Sequence, residues 1–409
     1  MTVPIANHNM PEIRVLVLTT SFPLRGGPPS GPFVQRLVEN LPSEIAATVL
    51  TPCFERRQAY KAPPGYQVTC FRYAPISWQR LAHVPGGIPA ALRARPVLYL
   101  LLPWFLLCMM TACWRAVREA DLIHANWSVN GVVAGMVASL RRVPLVTTLR
   151  GEDVTRAEQS GLFRWFLANS IRASTRVVTV SEAFQAKIVN RFPDSAWKVR
   201  VVHNGVGREL LGCMVGSGSS GVLNLVTVGS LIPRKSVTTL IRALALLPAP
   251  DAVRLVVVGD GPERSGLERL ASELGIGASV EFTGSVPPGN VIRYLEQADV
   301  LVLCSRSEGR PNVVLEAMAA GLGVVATAID GVTEIVRDGH SGLLFEPGDA
   351  EALAGLLERL RNDTGLRTRL AQEARGWIRS QNLFWDNTGE QYAEIYRESL
   401  GGQVQSCAD

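Results

Sequence analysis

The stretch Ser305-Arg-Ser-Glu-Gly-Arg-Pro-Asn-Val-Val-Leu-Glu-Ala-Met-Ala-Ala-Gly-Leu-Gly-Val-Val-Ala-Thr327 decides how the rest of this chain is read. It follows the apolar run Ala298-Asp-Val-Leu-Val-Leu-Cys304, which reads as a buried strand, and it opens a helix near Asn312, a capping-competent residue preceded by Pro311. A loop passing from a strand end into a helix presents unpaired N–H groups and the positive end of the helix dipole, so an anion is expected there. Two carboxylates, Glu308 and Glu316, bracket the helix start. With Glu308 in the loop and Glu316 one turn into the helix, both can accept hydrogen bonds from the hydroxyl pairs of a sugar or ribose whose phosphates sit between them. For an isolated pair of glutamates the plainer reading, a helix-capping or solvated Glu316 and a surface Glu308, would be preferred.

The context reverses that preference. The Glu-x7-Glu spacing, the filling Glu-Gly-x-Pro-x-x-x-x-Glu-Ala-Met-Ala-x-Gly and the following Val-Val-Ala-Thr strand resemble the donor-site signature of retaining GT-B glycosyltransferases, specifically glycosyltransferase family 4. The resemblance implies an α/β fold of two Rossmann-like domains whose parallel sheets face each other across a cleft. It also implies that Glu308 touches the donor sugar and that Glu316 holds the ribose. The backbone from Gly309 through Arg310, Pro311 and Asn312 to Val313 would lie on the pyrophosphate.

A chain of 409 residues with 47% hydrophobic content is more naturally two domains than one, and two domains imply a cleft. The net charge of +5 suits an anionic ligand or a membrane surface but is too weak for nucleic acid, and no basic run is interleaved with aromatics. Seven cysteines, at 53, 70, 108, 113, 213, 304 and 407, show no CxxC spacing. Neither a zinc site nor a disulfide framework is expected from them, and a reducing cytosol fits. The N-terminus lacks a cationic start followed by a sustained apolar run, Val15 to Leu18 being too short, so export is not expected.

Residues 1–11 read as a polar, irregular lead. Ile13 to Thr19 is a first buried strand, followed by a Gly/Pro-rich loop and an amphipathic helix from Phe33 to Leu41, a mononucleotide-type unit without the G-x-G-x-x-G spacing. Beside the donor signature this loop looks like the family's N-terminal glycine loop, with Gly31 leading into the helix and Gly26 and Gly27 competing for that place. Ala47 to Thr51 and Tyr66 to Phe71 are short strands. Val97 to Cys113 is a run of seventeen residues without a charge, flanked by Arg95 and Arg115 and interrupted by Pro103. It is read as a buried or interfacial helix rather than a spanning one, with docking on a membrane surface left open; Trp78, Trp104 and Trp114 suit an interface or a core equally.

Asp121 to Trp127 reads as a strand with a polar cluster at its carboxyl end, where ligands sit in open α/β sheets. The family commonly has His-x-His there. This chain has His124 and Asn126; a lone histidine is more often structural, but the resemblance counts His124 with Glu308 and Arg150 among the candidate catalytic residues. The strand Val143 to Leu149 delivers Arg150-Gly-Glu-Asp153 toward the cleft. Family members usually carry a histidine, implicated in contacting the reacting sugar, where Arg150 stands, so a permanent cation replaces it. Arg150 is expected to stabilise departing phosphate charge or to bind an acidic acceptor, the alternative being a surface salt bridge to Asp153 or Glu152. No general-base role is carried across.

Val199 to Val206 resembles the family's inter-domain strand and Asn-Gly-Val turn, and residues 212–221 are Gly/Ser-rich, as in a mobile connection. The boundary is placed there, with an acceptor-binding domain over 1–206, a nucleotide-sugar domain over 207–383 and a last helix over 384–409 that crosses back to the first domain. In the second half, Leu223 to Val228 is a strand leading into Gly229-Ser-Leu-Ile-Pro-Arg-Lys-Ser236, which looks like the family's Gly-x-Leu-x-x-x-Lys-Gly phosphate loop. Phosphate binding is carried onto Lys235. Ser230 stands where many members have arginine, Ser236 replaces glycine, and Arg234 is expected to supply the missing charge. Val253 to Pro262 ends in a glycine turn, Gly259 and Gly261, that the resemblance places beside the nucleotide, and Glu334 either faces the same pocket or caps a helix. Residues 350–380 read as helical.

These readings point to a cytosolic retaining enzyme that moves a sugar from a UDP- or GDP-sugar to a saccharide or lipid-linked acceptor in cell-surface polysaccharide or glycolipid synthesis. No Asp-x-Asp clamp is found, so neither a metal nor any other cofactor is expected, and no residue is assigned as nucleophile. A nucleotide-sugar 2-epimerase of the same fold, or a binding protein that has lost catalysis, are the alternatives. An NAD-dependent oxidoreductase is disfavoured by the glycine spacing and the missing acidic ribose ligand after the first strand.

Overall fold

The computed structural model describes residues 13–24, 31–53, 65–75, 78–83, 87–213 and 221–406. The expected polar lead, Gly26, Gly27, most of the Gly/Ser-rich segment and Cys407 lie outside them. Apolar runs with little alternation form strands buried on both faces, as parallel strands must be. Here they pair in parallel throughout both sheets.

The first sheet holds β1 (Ile13–Leu18), β2 (Ile45–Pro52), β3 (Tyr66–Phe71), β4 (Leu122–Asn126), β5 (Leu145–Leu149), β6 (Arg176–Thr179) and β7 (Val199–Val201), in the order β3-β2-β1-β4-β5-β6-β7. The second holds β8 (Leu223–Val228), β9 (Val253–Val258), β10 (Val280–Gly284), β11 (Val300–Leu303), β12 (Gly323–Thr327) and β13 (Leu343–Phe345), in the order β10-β9-β8-β11-β12-β13. In each sheet the order reverses once, between β1 and β4 and between β8 and β11. Such a switch point opens a crevice at the strand carboxyl ends because the flanking connections run to opposite faces.

Helices cover both faces of each sheet. In the second, Leu225, Leu255 and Val257 face one apolar cluster while Val226 and Val258 face the other, the period of two that a strand imposes. The first sheet likewise divides Val15 and Val17 from Leu16 and Leu18. The last helix, Trp385–Ser406, lays Trp385, Tyr392, Ile395 and Tyr396 into the same cluster as Val15 and Val49 of the first sheet. The segment 350–380 is two helices, Ala350–Asn362 and Thr364–Ser380, parted at Asp363, whose side chain caps the second.

Two expectations are corrected. Cys53 and Cys70 form a disulfide, because β2 and β3 run side by side in register and bring their Cα atoms to 4.9 Å; pairing across a sheet is invisible to a search for local spacings. The cysteine count therefore gives no support to a reducing compartment. The apolar run begins as a 3-10 turn, Pro96–Leu101, and becomes a helix, Leu102–Ala116, once Pro103 can occupy its first turn. Only one stripe of it, Phe105, Met109 and Cys113, is buried.

Candidate functional site

The switch point between β8 and β11 sets two loops side by side. Lys235, from the loop after β8, reaches Glu308, from the loop after β11, with Nζ 2.5 Å from Oε1 and side chains only 19% and 9% exposed. Ser305 Oγ donates to the same carboxylate oxygen at 2.6 Å, and the Arg306 N–H donates to the Arg234 carbonyl at 2.8 Å. Burial pushes the Glu308 carboxyl up, but Lys235 and Arg234 together with the two hydrogen bonds outweigh it, so its pKa lies below the usual carboxylate range. Around the Lys235 stem a small cavity is lined by Gly229, Ser230, Leu231, Val258 and Ser305 among others. The turn carrying Gly259 and Gly261 lies against this loop, the Leu231 N–H donating to the Asp260 carbonyl at 2.9 Å.

The helix from this loop is Asn312–Ala320, so it starts at the residue expected to cap it and the cap lies one residue earlier. Pro311, extended at φ −75°, takes the cap position, and no side chain caps the first turn. Asn312 is already the first helical residue, and its Oδ1 accepts a 2.9 Å hydrogen bond from Asn204 Nδ2 of the first unit. One turn on, Glu316 is half-buried and makes no hydrogen bond or ion pair within the described residues. Burial raises its pKa, tempered by the charge of Arg36. A half-buried carboxylate without a partner is uncommon, since desolvation costs free energy that a ligand's donors would recover.

From the first unit, β5 delivers Arg150 into the seam. Its guanidinium takes Asn126 Oδ1 at 2.9 Å and Asn204 Oδ1 at 2.9 Å and lies 4.6 Å from the centre of the Phe33 ring. The salt bridge to Asp153 or Glu152 does not form. Asp153 instead accepts from the Arg150 and Ser128 N–H groups and the Ser128 hydroxyl, as a carboxylate closing two helix starts. Gly31 begins the helix Pro32–Glu39 in the left-handed region, φ 66°, with a β-carbon there falling 2.3 Å from the Ser21 carbonyl oxygen.

His124, counted among the catalytic residues from sequence, is fully buried, and its ring nitrogens bond the hydroxyls of Thr148 and Tyr396, each at 2.8 Å. It ties β4 to the last helix and does not reach the cleft. Burial, with Arg150 nearby, pushes its pKa down to about 3. The unfolded chain therefore takes up a proton near pH 6.5 that the folded chain refuses, so stability falls as pH drops from there toward 3. His124 alone is expected to cost on the order of 3 kcal/mol between pH 7 and pH 4. Urea midpoints across that range should flatten in His124→Gln; an unchanged slope would exclude this residue as the cause.

The two units touch through glycines. A β-carbon on Gly309 would lie 2.4 Å from the Arg150 carbonyl oxygen, and one on Gly151, at φ 99°, would lie 2.7 Å from Gly309 Cα. Of the two readings for Glu334, helix capping is the one that forms, at the start of the helix Glu182–Arg191. Glu334 crosses the seam to accept from the N–H groups of Glu182 and Ala183 at 3.2 and 2.6 Å, and it lies 3.5 Å from Arg310, whose side chain is 2% exposed. Lys187 and Asp330 pair beside it at 2.9 Å. Gly309→Ala has only backbone to push against, so the units must part, and turnover is expected to fall at least about tenfold with each unit still folded. Turnover and the radius of gyration by X-ray scattering check this; normal turnover with an unchanged radius would refute it.

Of the residues singled out from sequence, Lys235, Glu308, Gly309, Arg310, Pro311, Asn312, Val313 and Glu316 gather on one side of the seam with Ser230 and Arg234, and Arg150 meets them from the other. Asn204 and Gly151 carry the connection between the units and were not singled out. The Asn-Gly-Val turn was the available signal for Asn204.

The family model "Glycosyl transferases group 1" matches residues 220–377, and "Glycosyltransferase Family 4" matches residues 32–210. The chain is 32% identical over 339 residues to the D-inositol 3-phosphate glycosyltransferase of Acidothermus cellulolyticus, covering 72% of each. It is 37% identical over 190 residues to the lipopolysaccharide core biosynthesis glycosyltransferase LpsE of Rhizobium meliloti, covering 45% of this chain and 54% of that one. Among solved structures, the sucrose-phosphate synthase of Thermosynechococcus elongatus superimposes with a TM-score of 0.78 at 21% identity, covering 95% of this chain and all (100%) of that one. Anabaena HepE in complex with UDP and glucose gives 0.73 at 22% identity, covering 94% and 100%. At these identities the structural likeness speaks for the fold.

Proposed function

Because the chain belongs to the group 1 glycosyltransferases, of GT-B fold and family 4 type, we propose that it moves a sugar from a nucleoside diphosphate carrier to a saccharide or lipid-linked saccharide. The observation that carries this reading is Glu316, a half-buried carboxylate without a partner among the described residues, one turn into the uncapped helix that follows the loop of Glu308, which Lys235 holds. In this reading the diphosphate lies on the first amides of the Asn312 helix and draws Lys235 toward itself, with Arg234 adding charge. Lys235 then releases Glu308 to accept from the sugar hydroxyls, and Glu316 takes the ribose diol. Arg150 approaches from the other unit, where it can meet charge that develops on the leaving diphosphate. The units close to exclude water, so that hydrolysis does not compete.

We assign UDP or GDP as the carrier, retention of anomeric configuration, and neutralisation of the leaving group by these cations without a metal. We place the reaction in the cytoplasm, in surface polysaccharide or glycolipid assembly. Thermal-shift measurements with UDP-, GDP- and ADP-sugars, followed by transfer assays with and without EDTA and NMR of the product's anomeric proton, test each part. Sugar isomerisation without acceptor would favour the epimerase. Binding with neither transfer nor slow donor hydrolysis would mean that Arg150 and Ser230 mark lost catalysis.

A further inference from the structure

An apolar ridge stands on the first unit. Val97, Tyr99 and Leu100 of the 3-10 turn are 69, 57 and 83% exposed, and Trp104 of the helix that follows is 55% exposed. Isolated exposed apolar residues need no explanation, but a run of this size marks a docking surface. Pro96–Glu119 is apolar and long enough to cross a bilayer, with mean hydropathy 1.9. It is held back from doing so by Phe105, Met109 and Cys113, which sit in the core with Leu16 and Leu50. The opposite stripe is left facing solvent.

Charge identifies what covers it. Between Glu55 and Glu119 the chain has no acidic residue and nine lysines and arginines, against a net charge of +5 overall, so the remainder of the protein is net negative. Arg72, Arg93 and Arg95 are exposed there and pair with no carboxylate among the described residues. Position matters as much. Phe105, in the first turn of the helix, meets the rings of Phe71, the last residue of β3, and Tyr73 at 5.7 and 4.9 Å. The ridge therefore stands at the strand carboxyl ends, the same end of the sheet at which Arg150 enters the seam.

We propose that this ridge docks on an anionic phospholipid bilayer, with Val97, Leu100 and Trp104 at the acyl boundary and the arginines among the headgroups. Docking there sets the mouth of the first unit on the membrane. Resting on the transferase reading, it narrows the acceptor to a sugar whose lipid carrier stays in the bilayer.

Flotation of the full-length protein with vesicles of phosphatidylcholine alone, or with about a third phosphatidylglycerol, tests it. The protein is expected to float with the anionic vesicles, and to partition about tenfold less strongly in high salt or as Leu100→Ser/Trp104→Ser. The donor-induced thermal shift should be unchanged in that variant. No preference for anionic vesicles, or a dimer in solution that the same variant dissociates, would overturn the proposal. Vesicle binding without any donor-induced shift would uphold the docking surface and remove the transferase reading instead.

Discussion

Lys235→Ala is expected to lower the affinity for UDP by about 100-fold while leaving uridine unaffected, since a charge-assisted hydrogen bond to a diphosphate is worth roughly 1.5–3 kcal/mol. The same exchange strands Glu308. Its side chain is 9% exposed, and Lys235 is the ammonium that balances it. Removing one partner of a buried pair costs about 3 kcal/mol, because the other charge stays desolvated. The pH dependence should change sign. In the native chain the Glu308 pKa is depressed, so its stabilisation is present above the ordinary carboxylate pKa and is lost as pH falls through the depressed value. Without Lys235, burial is less opposed and the pKa rises. The variant should then gain stability as pH is lowered from 7 toward the ordinary range, where the native chain gains none from this group. Calorimetric titration with UDP and uridine, and denaturation at pH 7 and 5, measure both effects. Unchanged UDP affinity would remove Lys235 from the phosphate site.

Both sheets and the loops that carry Lys235 and Glu308 were legible because they depend on short-range patterns: apolar runs for parallel strands, and glycine and proline for the loops. What escaped depends on contacts between distant segments. The Cys53–Cys70 bond needs the β2–β3 register, which local spacing does not encode. His124 looked like a strand-end ligand, but the helix that buries it lies 272 residues further on at Tyr396. Asn312 was read as a cap because its type suits one, yet Asn204, 108 residues away, takes its oxygen. The alternative reading for Arg150, a salt bridge to a nearby acid, gave way to asparagines from two other strand ends. In each case the local preference was real and a tertiary partner outweighed it.

Glu316→Ala separates a ligand-holding acid from a structural one through two opposite changes. A carboxylate that bridges a ribose diol accepts two charge-assisted hydrogen bonds, so its loss is expected to weaken UDP by roughly 30- to 100-fold and 2′,3′-dideoxy-UDP hardly at all. The ligand-free protein should become more stable, by about 1 kcal/mol, because a half-buried carboxylate without a partner among the described residues is desolvated for no internal return. A capping or ion-paired glutamate would give the reverse sign. Burial also sets the pH response. The Glu316 pKa is raised, so as pH falls the acid takes up its proton above the ordinary carboxylate range and loses acceptor capacity for the diol. UDP affinity should therefore begin to fall at a pH where dideoxy-UDP affinity is still flat, and that divergence should vanish in Glu316→Ala. Parallel pH profiles for the two nucleotides in the native protein would mean that Glu316 does not hold the ribose.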